Sequence, residues 1–140
     1  WRFDPRWRTW GSFAYSHGKD TDTGDYLNSV APLRAIIGLG YSSETWGSDV
    51  SLTLAASRHK VSGTGFEAPG YGLVDTTVWW APEKVGSIDL TGLKVQAGVF
   101  NVFDKKYFDA VSVPDGVSAS AQDFYSEPGR SFKLSVTKKF

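Results

Sequence analysis

The sequence predicts an all-β fold: six antiparallel strands of membrane-crossing length, side by side as part of a transmembrane β-barrel. Three observations lead there. Apolar residues recur at every second position in six separate segments, and the connections between those segments alternate between long and short. Aromatic residues are abundant, with six Trp, six Tyr and nine Phe, yet the apolar runs that would cover them in a soluble core are short, such as Ala35-Ile36-Ile37. A membrane helix needs about 18 consecutive apolar residues, and the sequence holds no such run. A membrane strand needs only its lipid-facing half to be apolar, so overall hydropathy stays low.

In chain order, the first predicted strand, 7–17, presents Trp7, Phe13 and Tyr15 on one face and Ser12, Ala14 and Ser16 on the other. The second, 33–42, sets Leu33, Ala35, Ile37, Leu39 and Tyr41 against Arg34, Gly38 and Gly40. The third, 48–59, sets Val50, Leu52, Leu54 and Ala56 against Ser51, Thr53, Ala55 and Ser57. The fourth, 72–81, carries Val74, Val78 and Trp80 on its apolar face. In the fifth, 91–100, Leu93, Val95, Ala97 and Val99 alternate with Lys94, Gln96 and Gly98. The sixth, 131–140, alternates Phe132, Leu134, Val136 and Phe140 with Lys133, Ser135, Thr137 and Lys139, and Lys138 is its one exception. Each run is about 9–11 residues, the length that crosses a bilayer when tilted. The opposite faces are rich in Ser, Thr and Gly rather than in the Lys and Glu of a soluble sheet, which suits a curved wall around a lumen.

Connections 43–47 and 82–90 are short, while 18–32, 60–70 and 108–130 are long and rich in Gly, Asp, Ser and Pro. Bacterial outer-membrane barrels place long loops outside and short turns in the periplasm. On that topology Trp7, Trp10, Tyr41, Trp46, Trp79 and Trp80 fall at the periplasmic edge, and Tyr15, Tyr71, Phe103 and Tyr107 at the outer edge, as two aromatic girdles. Natural barrels use at least about eight strands, and open edges are not tolerated in lipid. The chain also opens on Trp1 with neither Met nor a signal segment. We therefore expect the rest of the wall to come from residues outside this sequence.

Composition excludes other classes. Fifteen basic residues balance 15 acidic ones, so there is no basic stripe for a nucleic-acid partner. Cysteine is absent, which removes disulfides, thiol catalysis and cysteine metal sites.

Two motifs carry more specific information. The first is Asn101-Val102-Phe103-Asp104-Lys105-Lys106-Tyr107, and the second is Pro128-Gly129-Arg130 opening the last strand. Together they resemble the ending of TonB-dependent outer-membrane receptors, with Val102 in place of the usual Leu. The terminal pattern Phe132, Leu134, Val136, Phe140 is similar to the C-terminal signal read by the barrel-assembly machinery, where alternate side chains fill pockets while the backbone pairs. The resemblance runs along nearly the whole chain. It implies that residues 1–140 are the C-terminal part of a 22-stranded barrel whose lumen holds an N-terminal plug domain.

Within that family, Leu27-Asn28-Ser29-Val30-Ala31-Pro32, Phe66-Glu67-Ala68-Pro69-Gly70-Tyr71 and Lys105-Lys106-Tyr107-Phe108 running into Val111-Ser112-Val113 resemble the branch that takes up haem. The resemblance implies haem as the transported ligand, delivered free, by haemoglobin or by another extracellular haem-carrier protein. It implies contact with membrane lipids and lipopolysaccharide, and with TonB through the plug. No covalent cofactor, no resident metal and no catalytic residue are expected.

The motif residues Asn101, Phe103, Asp104, Tyr107, Pro128, Gly129 and Arg130 are expected to be structural. Asn101 and Asp104 can hydrogen-bond locally, Pro128 and Gly129 turn the chain, and Arg130 can pair with Glu127. His17 and His59 fall at the outer ends of strands, where imidazole could ligate haem iron. By alternation His59 points to the lumen and His17 to lipid, and each also suits a plain polar residue at the membrane interface. Asp20, Asp22, Gly24 and Asp25 hint at a calcium loop, but Ala31 stands where its bidentate Glu is required. Three other readings stay open: a siderophore or cobalamin receptor, a barrel enzyme using His59 near Ser57 and Ser62, and a soluble ligand-binding β-sandwich.

Overall fold

The computed structural model describes residues 1–139. Phe140, the last residue of the expected assembly signal, lies outside the described residues. Six strands form one sheet: β1 (Trp7–Ala14), β2 (Arg34–Ser42), β3 (Trp46–Ala55), β4 (Tyr71–Trp80), β7 (Leu93–Phe100) and β8 (Ser131–Lys138). They lie in the order β1-β2-β3-β4-β7-β8, and every neighbouring pair is antiparallel. A separate ladder of β5 (Lys84–Val85) and β6 (Ile88–Asp89) sits inside the connection from β4 to β7. Strands of two residues are too short to show a period in the sequence. A 3₁₀ turn, Gln122–Tyr125, interrupts the last long loop.

Where the expected strands 7–17 and 48–59 were to continue to His17 and His59, β1 stops at Ala14 and β3 at Ala55. After a last ladder-like bond from Ala56 N to Leu33 O, Arg58 pairs with Ala68 in its own loop. The alternating composition runs on into the loops, but the backbone partners change.

The register carries the alternation across the whole sheet. One row joins Leu134, Ala97, Val78, Ser48, Tyr41 and Trp7; the next but one joins Phe132, Val99, Thr76, Val50, Leu39 and Thr9. Between them runs Lys133, Gly98, Thr77, Asp49, Gly40 and Arg8 on the opposite face. The apolar face is left open: Ile37, Leu134 and Val136 are 56%, 73% and 62% exposed. A soluble sandwich would bury these residues. The small core lies on the other face, where Ala55, Tyr71 and Leu73 pack with Tyr107.

The aromatic girdle needs a correction. Trp7, Tyr41 and Trp46 do form a cluster on the apolar face, Trp7 edge-on to Tyr41 and Tyr41 tilted against Trp46, with ring centres 5.0 and 4.9 Å apart. Trp10 and Trp79 pair with Gly38 and Gln96 and so face the polar side. Their indoles lie flat across glycines: a Cβ on Gly38 would sit 2.1 Å from the Trp10 ring, and one on Gly47 would sit 2.5 Å from Trp79 Nε1. Tyr71 also belongs to the polar face, where it is buried against Tyr107 at 4.6 Å between ring centres.

Candidate functional site

The two terminal motifs meet in space. Asn101 and Asp104 have φ of 51° and 54°, the left-handed region that Asn and Asp tolerate best after glycine. The Asn101 side chain brackets Lys105, donating to its carbonyl at 2.8 Å and accepting from its N–H at 2.9 Å. Its own N–H donates to the Asp75 carboxylate at 2.7 Å. Asp104 accepts from the Arg130 N–H at 2.7 Å, and Gly129 permits that approach, since a Cβ there would stand 2.7 Å from the same carboxylate oxygen. The exit of β7 and the entry of β8 are thus pinned together. Pro128 and Arg130 are exposed, as is Phe103. The expected Arg130–Glu127 pair is not among the ion pairs of the described residues; the guanidinium instead approaches the Val102 carbonyl at 3.4 Å. Burial pushes the Tyr107 phenol above its ordinary pKa, and Glu127 adds to the shift. Phe132, Leu134 and Val136 lie on the open apolar face of β8.

The three long loops are bound to one another. Asn28 donates to the Ser62 carbonyl at 2.9 Å and to Asp115 at 3.0 Å, and accepts from the Ser62 N–H at 2.9 Å. Arg58 is buried to 7% exposure and donates to the carbonyls of Phe66 and Asn28. Burial lowers its pKa, while Asp115 and Asp109 oppose that shift. Arg34 holds Asp109 at 2.9 Å and also hydrogen-bonds the Tyr71 hydroxyl. Phe66 meets Phe108 edge-on at 5.5 Å. Asn28, Phe66 and Phe108 belong to the three stretches whose resemblance pointed to haem, and the fold gathers them into one clasp. Sequence reading missed Arg58, Asp109 and Asp115, because no spacing along the chain marks a bond between residues 28 and 115.

Beside the clasp lies an open cavity of about 330 Å³, lined in part by His17, His59, Tyr26, Leu27, Val30 and Lys60. Both candidate histidines therefore border one space. Neither belongs to a strand, so strand alternation does not set which way either one points. The His17 ring meets Tyr26 edge-on at 5.9 Å. His59 Nδ1 lies 3.6 Å from Glu67, an ion-pair separation too long for a hydrogen bond. No hydrogen bond among the described residues links His59 to Ser57 or Ser62; its ion-pair partner is Glu67.

The acidic run folds as a small turn. Asp20 accepts from the N–H groups of Asp22 and Thr23 at 2.8 and 2.9 Å, and Gly24 takes a φ of 76°. These bonds, Thr23 first, hold the Asp20 carboxyl below its ordinary pKa. Among the described residues no group of three or more His, Asp or Glu is placed to hold a metal.

An antiparallel meander with an open apolar face, a polar inner face and interlocked loops at one end has the form of a barrel wall. The family described as TonB dependent receptor-like, beta-barrel matches residues 1–102. The chain belongs to that family. The protein is therefore one of the outer membrane, where barrels of this kind turn an apolar face to lipid, a polar face to the lumen and their long loops outward. The probable hemoglobin and hemoglobin-haptoglobin-binding protein 4 of Haemophilus influenzae is 26% identical over 149 residues, covering 91% of this chain and 15% of that protein. The heme/hemopexin utilization protein C of the same species is 27% identical over 114 residues, covering 79% of this chain and 15% of that protein. The chain thus spans about 15% of the length of these curated relatives. Among solved structures, the copper transporter OprC superimposes with a TM-score of 0.83 at 27% identity, over 100% of this chain and 22% of its own. The family is one of receptors and transporters rather than enzymes.

Proposed function

We propose that this chain is the C-terminal segment of a larger, plugged barrel that imports haem across the outer membrane with energy delivered through TonB. The segment contributes wall and outer loops, so its part is positioning cargo rather than chemistry. The observation that carries this reading is the cavity shared by His17 and His59. Imidazole ligates haem iron, and the apolar walls of Leu27 and Val30 suit the porphyrin face. The relatives named for haemoglobin and haem–haemopexin support the cargo, and an extracellular haem-carrier protein is the source it would meet. The test is haem titration of the full-length receptor in detergent, followed by the haem absorbance band. His17→Ala and His59→Ala should each weaken binding and shift the band. Parent-like binding by both variants would remove any ligand role from this segment.

The name of the structural neighbour favours a second reading, import of a copper ion. Copper takes imidazole as well as thiolate or thioether ligands; this chain has no Cys or Met, so the same two histidines would serve. Titrating the same variants with Cu(II) separates the two cargoes.

Phe132, Leu134, Val136 and Phe140 are also proposed as the terminal assembly signal. Deleting Phe140 should lower the surface abundance of the receptor and leave the cargo affinity of assembled molecules unchanged; unchanged abundance would end that assignment.

A further inference from the structure

The loop above β1 and β2 holds an arrangement that the imidazoles do not explain. Lys19 and Tyr26 pair across an isolated antiparallel bridge, and Lys19 Nζ lies 4.7 Å from the Tyr26 ring centre. Lys60, from the next long loop, brings its Nζ to 5.3 Å from the same ring. Both lysines pull the Tyr26 phenol below its ordinary pKa, Lys60 first. Neither ammonium belongs to an ion pair among the described residues. The nearby Asp20 carboxylate is engaged with backbone N–H groups instead. Two like charges drawn to one ring repel each other, and the ring face offsets only part of that. An anion seated between them would offset the rest. Tyr26 and Lys60 line the same cavity as His17 and His59.

We infer that Lys19, Lys60 and the Tyr26 hydroxyl form a carboxylate cradle that receives the propionates of haem while its iron turns toward His17 and His59. The inference rests on the haem reading proposed above and adds to it the groups that select for the charged edge of the cargo. Ammonium-to-carboxylate bonds are charge-assisted and roughly twice as strong as neutral ones, and at this exposed site they weaken with added salt. The cradle therefore prefers a dicarboxylate porphyrin over an esterified one.

The experiment titrates the full-length receptor in detergent with haem and with haem dimethyl ester, whose propionates carry no charge. The parent is compared with the double variant Lys19→Gln, Lys60→Gln and with Tyr26→Phe. Both lysines are exposed, and unchanged heat-modifiable migration on gels confirms that the barrel is intact. The parent should bind haem roughly tenfold or more tightly than the ester, a preference that shrinks at high salt. The double variant should lose the preference by weakening haem alone, while Tyr26→Phe loses a smaller share. The cradle is overturned if the parent binds haem and ester equally, if the double variant keeps the preference, or if it weakens both ligands alike. If the parent binds neither porphyrin, the haem reading itself has failed and the cradle falls with it.

Discussion

Across β7 and β8 neighbours are set by backbone pairing, with Val95 opposite Val136 and Gln96 opposite Ser135. Above the sheet they are set by side chains that reach over long stretches of chain, Asn28 to Asp115 and Arg34 to Asp109. The wall repeats one rule, so a residue's place in the alternation decides its surroundings. In the loops each position has its own partners and no rule carries over from one to the next. Damage should therefore depend on face in the wall and on the individual bond in the loops.

The largest effect is expected in the wall. Val95→Arg places a guanidinium in lipid and should cost about 2–4 kcal/mol of barrel stability, measured by reversible denaturation in bilayer or detergent. Gln96→Arg, one residue along on the lumenal face, should cost little. Equal damage from the two would break the facing assignment. In the loops, Arg58→Ala removes a buried cation and strips its bonds from the Phe66 and Asn28 carbonyls. It should loosen the clasp by roughly 1–3 kcal/mol, seen as faster proteolysis and hydrogen exchange within 56–70 while the midpoint of barrel unfolding stays put. A lowered midpoint would mean that loops and wall are not separable.

The smallest effect is a pH response of the turn at Asp20. Its carboxyl is held low by the Thr23 and Asp22 N–H groups, so the stabilisation is complete above the ordinary aspartate value of about 3.9. It is lost as pH falls through the lower folded-state value. Hydrogen exchange at the Thr23 amide should accelerate only in acid, and Asp20→Asn should flatten that response. An identical profile in the variant would assign the turn to its backbone bonds alone.

How much was legible follows the same division. The six strands and their facing could be read because period two is written locally, as Leu93 to Val99 against Lys94 and Gln96 shows. Strand ends were overrun at His17 and His59, because alternation in composition does not report a change of backbone partner. Height along a strand does not report face, and it is parity that places Tyr71 and Trp79 on the polar side. The motif at Asn101 and Asp104 could be read as structural because short polar side chains at a strand exit bond locally. The clasp stayed hidden because its bonds join residues far apart in sequence.

The indoles laid across Gly38 and Gly47 have a consequence for the bore of the barrel. A tryptophan that stands off a wall takes room from the space beside it, whereas one that lies flat paves the wall and leaves its surface smooth. Gly38→Val would lift the Trp10 indole off its bed, because the new Cβ would occupy the place of the ring. A stretch of paving would become an obstruction, with the strand beneath it unchanged.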